Sequence, residues 1–417
     1  MLGLILFNTI VVLAILNLLR IGIFLISADL YEYKLAKQKK IISHYRPLVS
    51  IIIPAHNEEI CIIATVQSAL YNDYHKKEII VVDDGSVDRT YSKLKYFKYK
   101  NKLSQLKIVR QANLGKAVAI NNAIKNQARG SLIMVLDADS KLDKHAVTNM
   151  VKHFSNRNII AAAANVKIIS NNTLLGLAQR IEYIISYHSK RALTILSMEY
   201  IIGGVGSTFR KIAVKSVEYY DTDTITEDID FTLKLIFRKG NKGKSVFFAA
   251  DVLAYTEPVL KFSSLVKQRY RWKYGRMQTF VKHKSMFFSR QKKYDKRLTM
   301  YQLPYAILGE LTLFIEPILL TFIILMSFVY GDSKSLMGVY IIITAYITLN
   351  IFTENTESLK SKLSLIPGIP AAYVLMYVVT VVEFYALIKS ILRMPKLLKP
   401  GKEKPTWEHV ERAGATI

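Results

Sequence analysis

Apolar and polar positions follow two different patterns along this chain. Between residues 48 and about 254, short β-branched runs alternate with amphipathic stretches, which is the pattern of strands and helices in an α/β layer. Outside this region, apolar residues gather into long runs without charge. The pattern therefore predicts an α/β domain with membrane-spanning helices on either side.

The periodicity also predicts individual elements. Functional groups of α/β folds gather where the strands end, so we expect the polar residues after the first, second and fourth strands to lie side by side. A glycine-rich loop is expected over residues 201–210. The predicted strands cover residues 49–54, 78–83, 106–110 and 131–137, and the predicted helices cover residues 58–71, 88–99, 116–128, 173–196, 227–238 and 262–283.

The apolar runs outside the α/β domain are long enough to cross a bilayer. The stretch 303–330 is less simple, because Glu310, Glu316 and Pro317 fit either one kinked span or an interfacial helix followed by a short span. The other runs cover residues 2–19, 336–353 and 363–382. We divide the chain into an N-terminal membrane anchor (1–28), the α/β domain (48–260), an amphipathic interfacial region (261–300), C-terminal membrane helices (301–392) and a basic tail (393–417).

Charge predicts the sidedness of this multi-pass membrane protein. The chain carries 58 Lys and Arg against 32 Asp and Glu, a formal net charge of +26. Basic residues follow the first apolar run and fill the tail, so the positive-inside rule places the α/β domain and the tail in the cytoplasm, and favours a segment around Glu310 and Glu316 that does not cross. An anionic lipid surface accounts for the charge without a nucleic-acid partner. Cys61 is the only cysteine, which excludes a disulfide within the chain.

An apolar strand that ends in two carboxylates is the most informative local pattern. Five apolar residues precede Asp137 and Asp139, which are separated by one residue. Residues i and i+2 of an extended chain point the same way, so both carboxylates can face one divalent cation that carries a diphosphate. A solvated turn with a helix cap would explain the same pattern.

Two further patterns suit a nucleotide. Asp83, Asp84 and Gly85 end another apolar strand, where a carboxylate can accept hydrogen bonds from a base or ribose. A plain turn with a helix cap is the alternative. Gly115 and Lys116 open a predicted helix, so a helix N-terminus and an ammonium can face phosphate. An exposed lysine remains the alternative there, since the Walker spacing is absent.

Two predicted helices carry candidate chemistry. Glu227 and Asp228 begin one of them, where capping alone explains acids, but such a carboxylate can also take a proton from a hydroxyl nucleophile. Gln268, Arg271 and Trp272 share one face of the other. An arginine can hold a diphosphate through two parallel hydrogen bonds, and an indole can stack on a sugar. A basic aromatic helix at the membrane interface would instead explain the intervening Arg269 and Tyr270.

Four motifs, in this order, resemble the signature of processive, inverting family 2 glycosyltransferases, which include synthases of cellulose, chitin, hyaluronan and poly-N-acetylglucosamine. The resemblance covers roughly residues 48–280, and residues 406–412 resemble tails of the poly-N-acetylglucosamine branch. It implies a Rossmann-like GT-A fold, a UDP-sugar donor and Mg²⁺ or Mn²⁺. The motifs are Asp83-Asp84-Gly85, Asp137-Ala138-Asp139, Thr226-Glu227-Asp228 and Gln268-Arg269-Tyr270-Arg271-Trp272.

The resemblance implies a role for each matched residue. Asp83 and Asp84 would contact uridine, and Asp139, helped by Asp137, would hold the metal. Asp228 would be the catalytic base. The donor would also meet Lys116 and Arg271, and the acceptor would meet Gly206, Ser207, Glu227, Gln268 and Trp272.

These roles imply a single inverting attack, so that an α-linked donor gives a β-linked product. We expect transfer from UDP-N-acetylglucosamine, or a related UDP-sugar, to a growing polysaccharide. A non-processive transferase that adds one sugar to a lipid carrier or glycolipid is the alternative. A transporter or scaffold that kept a nucleotide-binding layer is a third hypothesis. About three or four apolar segments are available to build a channel, which leaves open an accessory membrane or export subunit.

Overall fold

The computed structural model describes residues 2–39, 44–169, 173–331 and 333–393. The predicted basic tail therefore lies, from residue 394 onward, outside the described residues. The centre of the fold is one sheet, whose strands are β1 (Val49–Ala55), β2 (Lys77–Asp84), β3 (Leu106–Gln111), β4 (Leu132–Val135), β5 (Ser140–Leu142), β6 (Ile159–Ile168), β7 (Ser207–Arg210) and β8 (Ser245–Thr256).

The sheet has the order β3-β2-β1-β4-β7-β6-β8-β5. Its first half is parallel, since β1 pairs with β2 and β4, and β2 pairs with β3. The four strands predicted from alternating apolar runs are therefore confirmed. The second half is mixed, with β7 antiparallel to both β4 and β6. The prediction of a loop over the whole of 201–210 is wrong at its end, because β7 inserts there between β4 and β6.

The parallel strands β1, β2 and β4 are buried on both faces. Ile51 and Ile53 of β1 point into one apolar core, and Ile52 between them points into the other. This alternation follows from the period of two in a strand. It explains why these strands are almost continuously apolar in sequence and show no polar face.

Helices cover both faces of the sheet and continue into the C-terminal region. The predicted helix at residues 58–71 begins late, at Ile62, because residues 56–61 form a turn in which the Glu58 N–H donates to Thr90. The helices are α1 (Leu2–Lys39), α2 (Ile62–Leu70), α3 (Thr90–Lys100), α4 (Lys116–Asn122), α5 (Ala146–His153), α6 (Leu174–Ile195), α7 (Lys211–Lys215), α8 (Glu227–Lys239), α9 (Phe262–Lys282), α10 (Leu303–Thr312), α11 (Glu316–Tyr330), α12 (Ser333–Thr353), α13 (Leu359–Leu365) and α14 (Ile369–Leu392).

The stretch around Glu310 consists of two helices rather than one kinked span. α10 ends at Thr312, and α11 starts afresh at Glu316 with Pro317 in its first turn. The Glu310 carboxylate is buried and pairs with two cations of α9, so α10 is fixed to that helix.

The apolar run at residues 363–382 is also divided. A tight turn over Ile366–Gly368 separates α13 from α14, and Pro367 lies in that turn. Within the part of the chain that the structure describes, one helical stretch, Ala372–Leu392 in α14, is long and apolar enough to cross a bilayer. α14 packs through Ile369 and Ala372 against Ile181 of α6.

Candidate active site

Three neighbouring parallel strands end on the same side of the domain. β2, β1 and β4 are adjacent and run in one direction, so their polar C-terminal residues lie side by side, as the sequence predicted. A cavity of about 520 Å³ opens there and reaches α6, α9 and α14. The sequence-predicted residues that line it are Lys116, Asp137, Asp139, Glu227, Asp228, Gln268, Arg271 and Trp272.

Lys116 links two acids at the strand ends. Its ammonium lies 2.9 Å from Oδ1 of Asp137 and 2.7 Å from Oε1 of Glu227. Burial opposes the charge, but Asp137, Glu227 and Asp228 raise the pKa of Lys116 well above its usual value. Gly204 completes this arrangement, because a Cβ at that position would lie 3.2 Å from Lys116 Nζ and from Asp137 Oδ1. The absence of a side chain lets the loop approach the ion pair.

Asp228 lies in the first turn of α8, at the wall of the cavity. Its Oδ1 accepts a hydrogen bond of 2.8 Å from the backbone N–H of Ile229. Burial, followed by the negative charge of Glu227, raises the pKa of Asp228 to about 6, against the opposing effect of Lys116. A carboxylate of raised pKa is a better proton acceptor than an ordinary aspartate, which suits a general base.

Asp137 and Asp139 provide the oxygen ligands that a hard divalent cation prefers. Both line the cavity, and Asp139 is partly exposed there, with Ser140 Oγ donating to its Oδ1 at 3.0 Å. The donor set therefore fits the expected Mg²⁺ or Mn²⁺. Both aspartates are partly exposed, and Asp137 is paired with Lys116.

A second group of acids lies outside the cavity lining. Asp221, Asp223 and Asp230 bring carboxylate oxygens within 4.8 Å of one another. The ammonium of Lys282 lies 2.7, 2.6 and 2.9 Å from these three carboxylates, respectively, and His283 is bonded to Asp230. The ammonium of Lys282 therefore already occupies this cluster and ties it to α9.

Asp83 and Asp84 are fully buried and do not line the cavity. Asp83 pairs with Arg110 Nε at 3.1 Å. Asp84 accepts hydrogen bonds from the backbone N–H groups of Leu114 and Gly115 at 3.0 and 2.8 Å. Both carboxylates thus have partners within the protein, and Asp84 fixes the loop from which Lys116 projects. Their predicted contact with uridine stays a prediction.

The glycine-rich loop meets the cavity through its first part. Gly203, Gly204 and Val205 line the cavity, whereas Gly206 and Ser207 do not. Gly206 has a φ of +69°, and a Cβ there would lie 2.9 Å from Ala164 Cβ, so the position requires glycine. The predicted contact of Gly206 and Ser207 with an acceptor is untested.

α9 directs its predicted face into the cavity. Gln268, Arg271 and Trp272 all line it. Among the described residues, no acid forms an ion pair with Arg271, so its guanidinium is available to an anionic ligand. Arg269 does not fit the interfacial explanation, which is wrong for this residue, because it is only 3% exposed and is held by acids of α6 and α14.

The sequence analysis missed the residues that α6 and α14 contribute. Glu182 and Glu383 line the cavity and pair with Arg269. Tyr183 and Tyr187 add aromatic walls. Glu383 could have been found, because a single acid in an otherwise apolar helix is rarely without a partner or a function. Glu182 lies on an ordinary amphipathic helix and gives no such signal.

Comparison with known proteins shows which family and which relatives this chain is similar to. Residues 50–217 match the family described as Glycosyl transferase family 2. The chain is 33% identical over 259 residues to poly-beta-1,6-N-acetyl-D-glucosamine synthase of Staphylococcus aureus strain COL. The aligned region covers 62% of this chain and 60% of that relative. The corresponding synthase of Staphylococcus epidermidis is 32% identical over 267 residues, 63% of this chain and 62% of that protein. The matched region thus spans about three fifths of these relatives.

A solved structure shares the fold. It is a mannosyltransferase from Pyrobaculum calidifontis in complex with GDP-Man and Mn²⁺, with a TM-score of 0.58 at 20% identity over 88% of this chain and 94% of the other. The predicted GT-A arrangement of the α/β domain is therefore confirmed. Together with the strand-end acids, the match over residues 50–217 makes this part of the chain similar to glycosyl transferase family 2.

Proposed function

We propose that this protein is a membrane-bound, inverting glycosyltransferase that transfers N-acetylglucosamine from UDP-N-acetylglucosamine to a growing β-linked polysaccharide. One observation carries the proposal: a single cavity of about 520 Å³ contains Asp139, Asp228 and the Gln268, Arg271 and Trp272 face of α9. The similarity to poly-beta-1,6-N-acetyl-D-glucosamine synthases supports the choice of sugar and acceptor.

The strand side of the cavity forms the donor end, defined by Lys116, Asp137 and Asp139. The two carboxylates would hold Mg²⁺ or Mn²⁺, and such an ion would supply positive charge against the diphosphate. Lys116 keeps Asp137 in place and brings a positive charge to the same region. Arg271 faces the diphosphate from α9, where its planar guanidinium can form two parallel hydrogen bonds.

The helix side of the cavity forms the acceptor end, defined by Gln268 and Trp272. The indole of Trp272 stacks against the terminal sugar, and Gln268 bonds its hydroxyls. Asp228 lies between the two ends and accepts the proton of the attacking hydroxyl. The oxygen then bonds to the anomeric carbon as the bond to UDP breaks, which inverts that carbon. Arg271 stabilises the negative charge that grows on UDP.

The membrane part of the proposal rests on the C-terminal helices. The apolar stretch Ala372–Leu392 supports attachment to a bilayer, with the catalytic domain in the cytoplasm. A lipid-directed transferase that adds a single sugar remains the second candidate, because the cavity reaches α14 and Glu383 of that apolar helix lines its wall.

UDP release from purified protein in nanodiscs tests the proposal. Protein supplied with Mg²⁺ or Mn²⁺ is offered a panel of UDP-sugars, and the product is sized by mass spectrometry. We expect release with UDP-N-acetylglucosamine and a polymeric product. A product with one added sugar on lipid would favour the second candidate, and no release with any donor would refute both.

A further inference from the structure

We propose that Glu182 and Glu383 are positioning residues for the acceptor end, because together they hold the Arg269 guanidinium against the ring of Trp272. The proposal rests on the function proposed above, in which Trp272 stacks on the acceptor sugar. It assigns a role in the active site to Glu383 of the apolar helix α14 and to Arg269 of the α9 motif.

Arg269 is held by two acids from different helices. Its Nη1 and Nη2 donate to Oε1 and Oε2 of Glu182 at 2.7 and 2.6 Å, which is a parallel, bidentate pair. Nη1 also donates to Oε1 of Glu383 at 3.3 Å. Since Arg269 is only 3% exposed, this charge has been removed from water and depends on the two carboxylates. α6 and α14 therefore fix the guanidinium from two directions.

The same guanidinium lies over the indole. The Arg269 Cζ is 4.8 Å from the centroid of the Trp272 ring, within the range of a cation–π contact. A buried cation over the face of Trp attracts the ring and restricts its rotation. The position of the indole is thus set by Arg269, and the position of Arg269 is set by Glu182 and Glu383.

Both α14 and α10 have contacts that do not involve Glu383: α14 packs on α6 through Ile369 and Ala372, and α10 pairs with α9 through Glu310. Its second oxygen, Oε2, accepts from Lys273 Nζ at 3.0 Å. Lys273 also reaches Glu310 of α10 at 2.8 Å, and Arg276 reaches the same acid at 2.7 Å. The two Glu310 pairs do not involve Glu383. A Glu383→Gln variant therefore weakens the contacts of Glu383 with Arg269 and Lys273, while α10 keeps its pairs with α9 and α14 keeps its apolar packing on α6.

Glu182, Arg269 and Glu383, together called the clamp, act only at the acceptor end of the cavity. Among the described residues, neither Glu182 nor Glu383 forms an ion pair with Lys116, the cation of the donor end, whose partners are Asp137 and Glu227. Loosening the clamp should therefore weaken the acceptor complex and leave the donor complex unchanged. This separation gives the proposal a kinetic signature that a general loss of stability does not share.

The first readout is kinetic. In Glu383→Gln we expect the KM for β-1,6-linked N-acetylglucosamine oligosaccharides to rise about tenfold, from the loss of a partly buried cation–π arrangement. We expect the KM for UDP-N-acetylglucosamine, and UDP release in the absence of acceptor, to stay unchanged. Glu182→Gln should act in the same direction and more strongly, since it loses a bidentate partner. Glu316→Gln is the matched control, because Glu316 is an exposed acid of the same C-terminal region.

The second readout follows Trp272 directly. The chain has two tryptophans, Trp272 and Trp407, so Trp407→Phe leaves Trp272 as the only indole. In that background we expect Glu383→Gln and Glu182→Gln to increase quenching of Trp272 emission by acrylamide. Glu316→Gln should leave quenching unchanged. Arg269→Lys keeps the charge but loses the planar guanidinium, and should increase quenching as well.

The outcomes separate this proposal from the proposed function. If the wild type releases no UDP from any donor, the proposed function fails, and the quenching experiment still decides whether the clamp holds the indole. If the wild type is active and Glu383→Gln matches Glu316→Gln in acceptor KM and in quenching, the clamp is refuted. A rise in donor KM equal to the rise in acceptor KM would also refute it.

Discussion

The two ends of the cavity are built in different ways. The donor end is assembled from residues that directly follow strands: Asp137 and Asp139 after β4, and Lys116 at the start of the helix that Asp84 and its loop position. The acceptor end is assembled from side chains on three helices, where Arg269 joins Glu182 of α6 to Glu383 of α14. Regular strand ends therefore define the donor end, whereas ion pairs between distant helices define the acceptor end.

This difference predicts how each end responds to substitution. In the proposed function, residues at the donor end bind the metal and the diphosphate, so their loss should reduce kcat or metal-dependent binding. Residues at the acceptor end act on orientation, so their loss should be seen mainly in the acceptor KM. A donor-end variant that changed only the acceptor KM, or an acceptor-end variant that changed mainly kcat, would contradict this difference between the two ends.

The largest effect is expected at the residue between the two ends. Asp228→Asn removes the proton acceptor while keeping the shape of the side chain, and kcat should fall by roughly 100- to 10,000-fold. UDP binding should persist, since the base is needed only for the acceptor proton. Steady-state UDP release and a UDP titration measure the two properties. Loss of UDP binding in this variant would remove Asp228 from the role of base.

Arg271→Lys should have the next largest effect. Lysine keeps the charge but cannot form two parallel hydrogen bonds to a diphosphate. The loss of stabilisation for the departing UDP should lower kcat by about 100-fold. Arg276→Lys is a matched control on the same helix, because Arg276 pairs with Glu310. Equal effects of the two substitutions on kcat would argue for a structural role of both arginines.

Asp139→Ala tests the metal at the donor end. We expect Mg²⁺- or Mn²⁺-dependent UDP binding to weaken about tenfold or more, because a carboxylate ligand is lost. Calorimetric titration of UDP with and without the divalent ion measures the effect. Asp223→Ala, in the separate cluster that is paired with Lys282, should leave the metal dependence intact. An unchanged metal dependence in Asp139→Ala would contradict the assignment.

The smallest effect is a shift in pH dependence. A base works only when deprotonated, and the pKa of Asp228 is raised to about 6, so kcat should fall as pH drops through about 6. Burial raises this pKa first and the charge of Glu227 raises it further. Glu227→Gln should therefore move the acid limb of the kcat profile to lower pH. A shift to higher pH would show that Glu227 acts in another way.

The strand side of the fold was predictable from the sequence because each strand carries its own signal. The apolar runs that end in Asp84 and Asp137 specify both the strand and the position of the acid. The sequence could not show that Asp83 and Asp84 are satisfied internally, since that depends on Arg110 and on the loop at Gly115.

The helix side was predictable only in part. The spacing of Gln268, Arg271 and Trp272 placed them on one face correctly, because helical spacing is a local property. The burial of Arg269 was not predictable, because it depends on acids 87 and 114 residues away. In sequence alone, a basic residue among aromatic residues is typical of a helix at the membrane interface, and only its partners in the fold show otherwise.

The anomeric configuration of the first bond formed tests the central claim most directly. Purified protein is given α-linked UDP-N-acetylglucosamine and an oligosaccharide acceptor, and the new linkage is examined by proton NMR. If an acceptor hydroxyl activated by Asp228 attacks in one step between the two ends of the cavity, the linkage is β. An α linkage would require a second displacement that this site does not provide for, and would contradict the account.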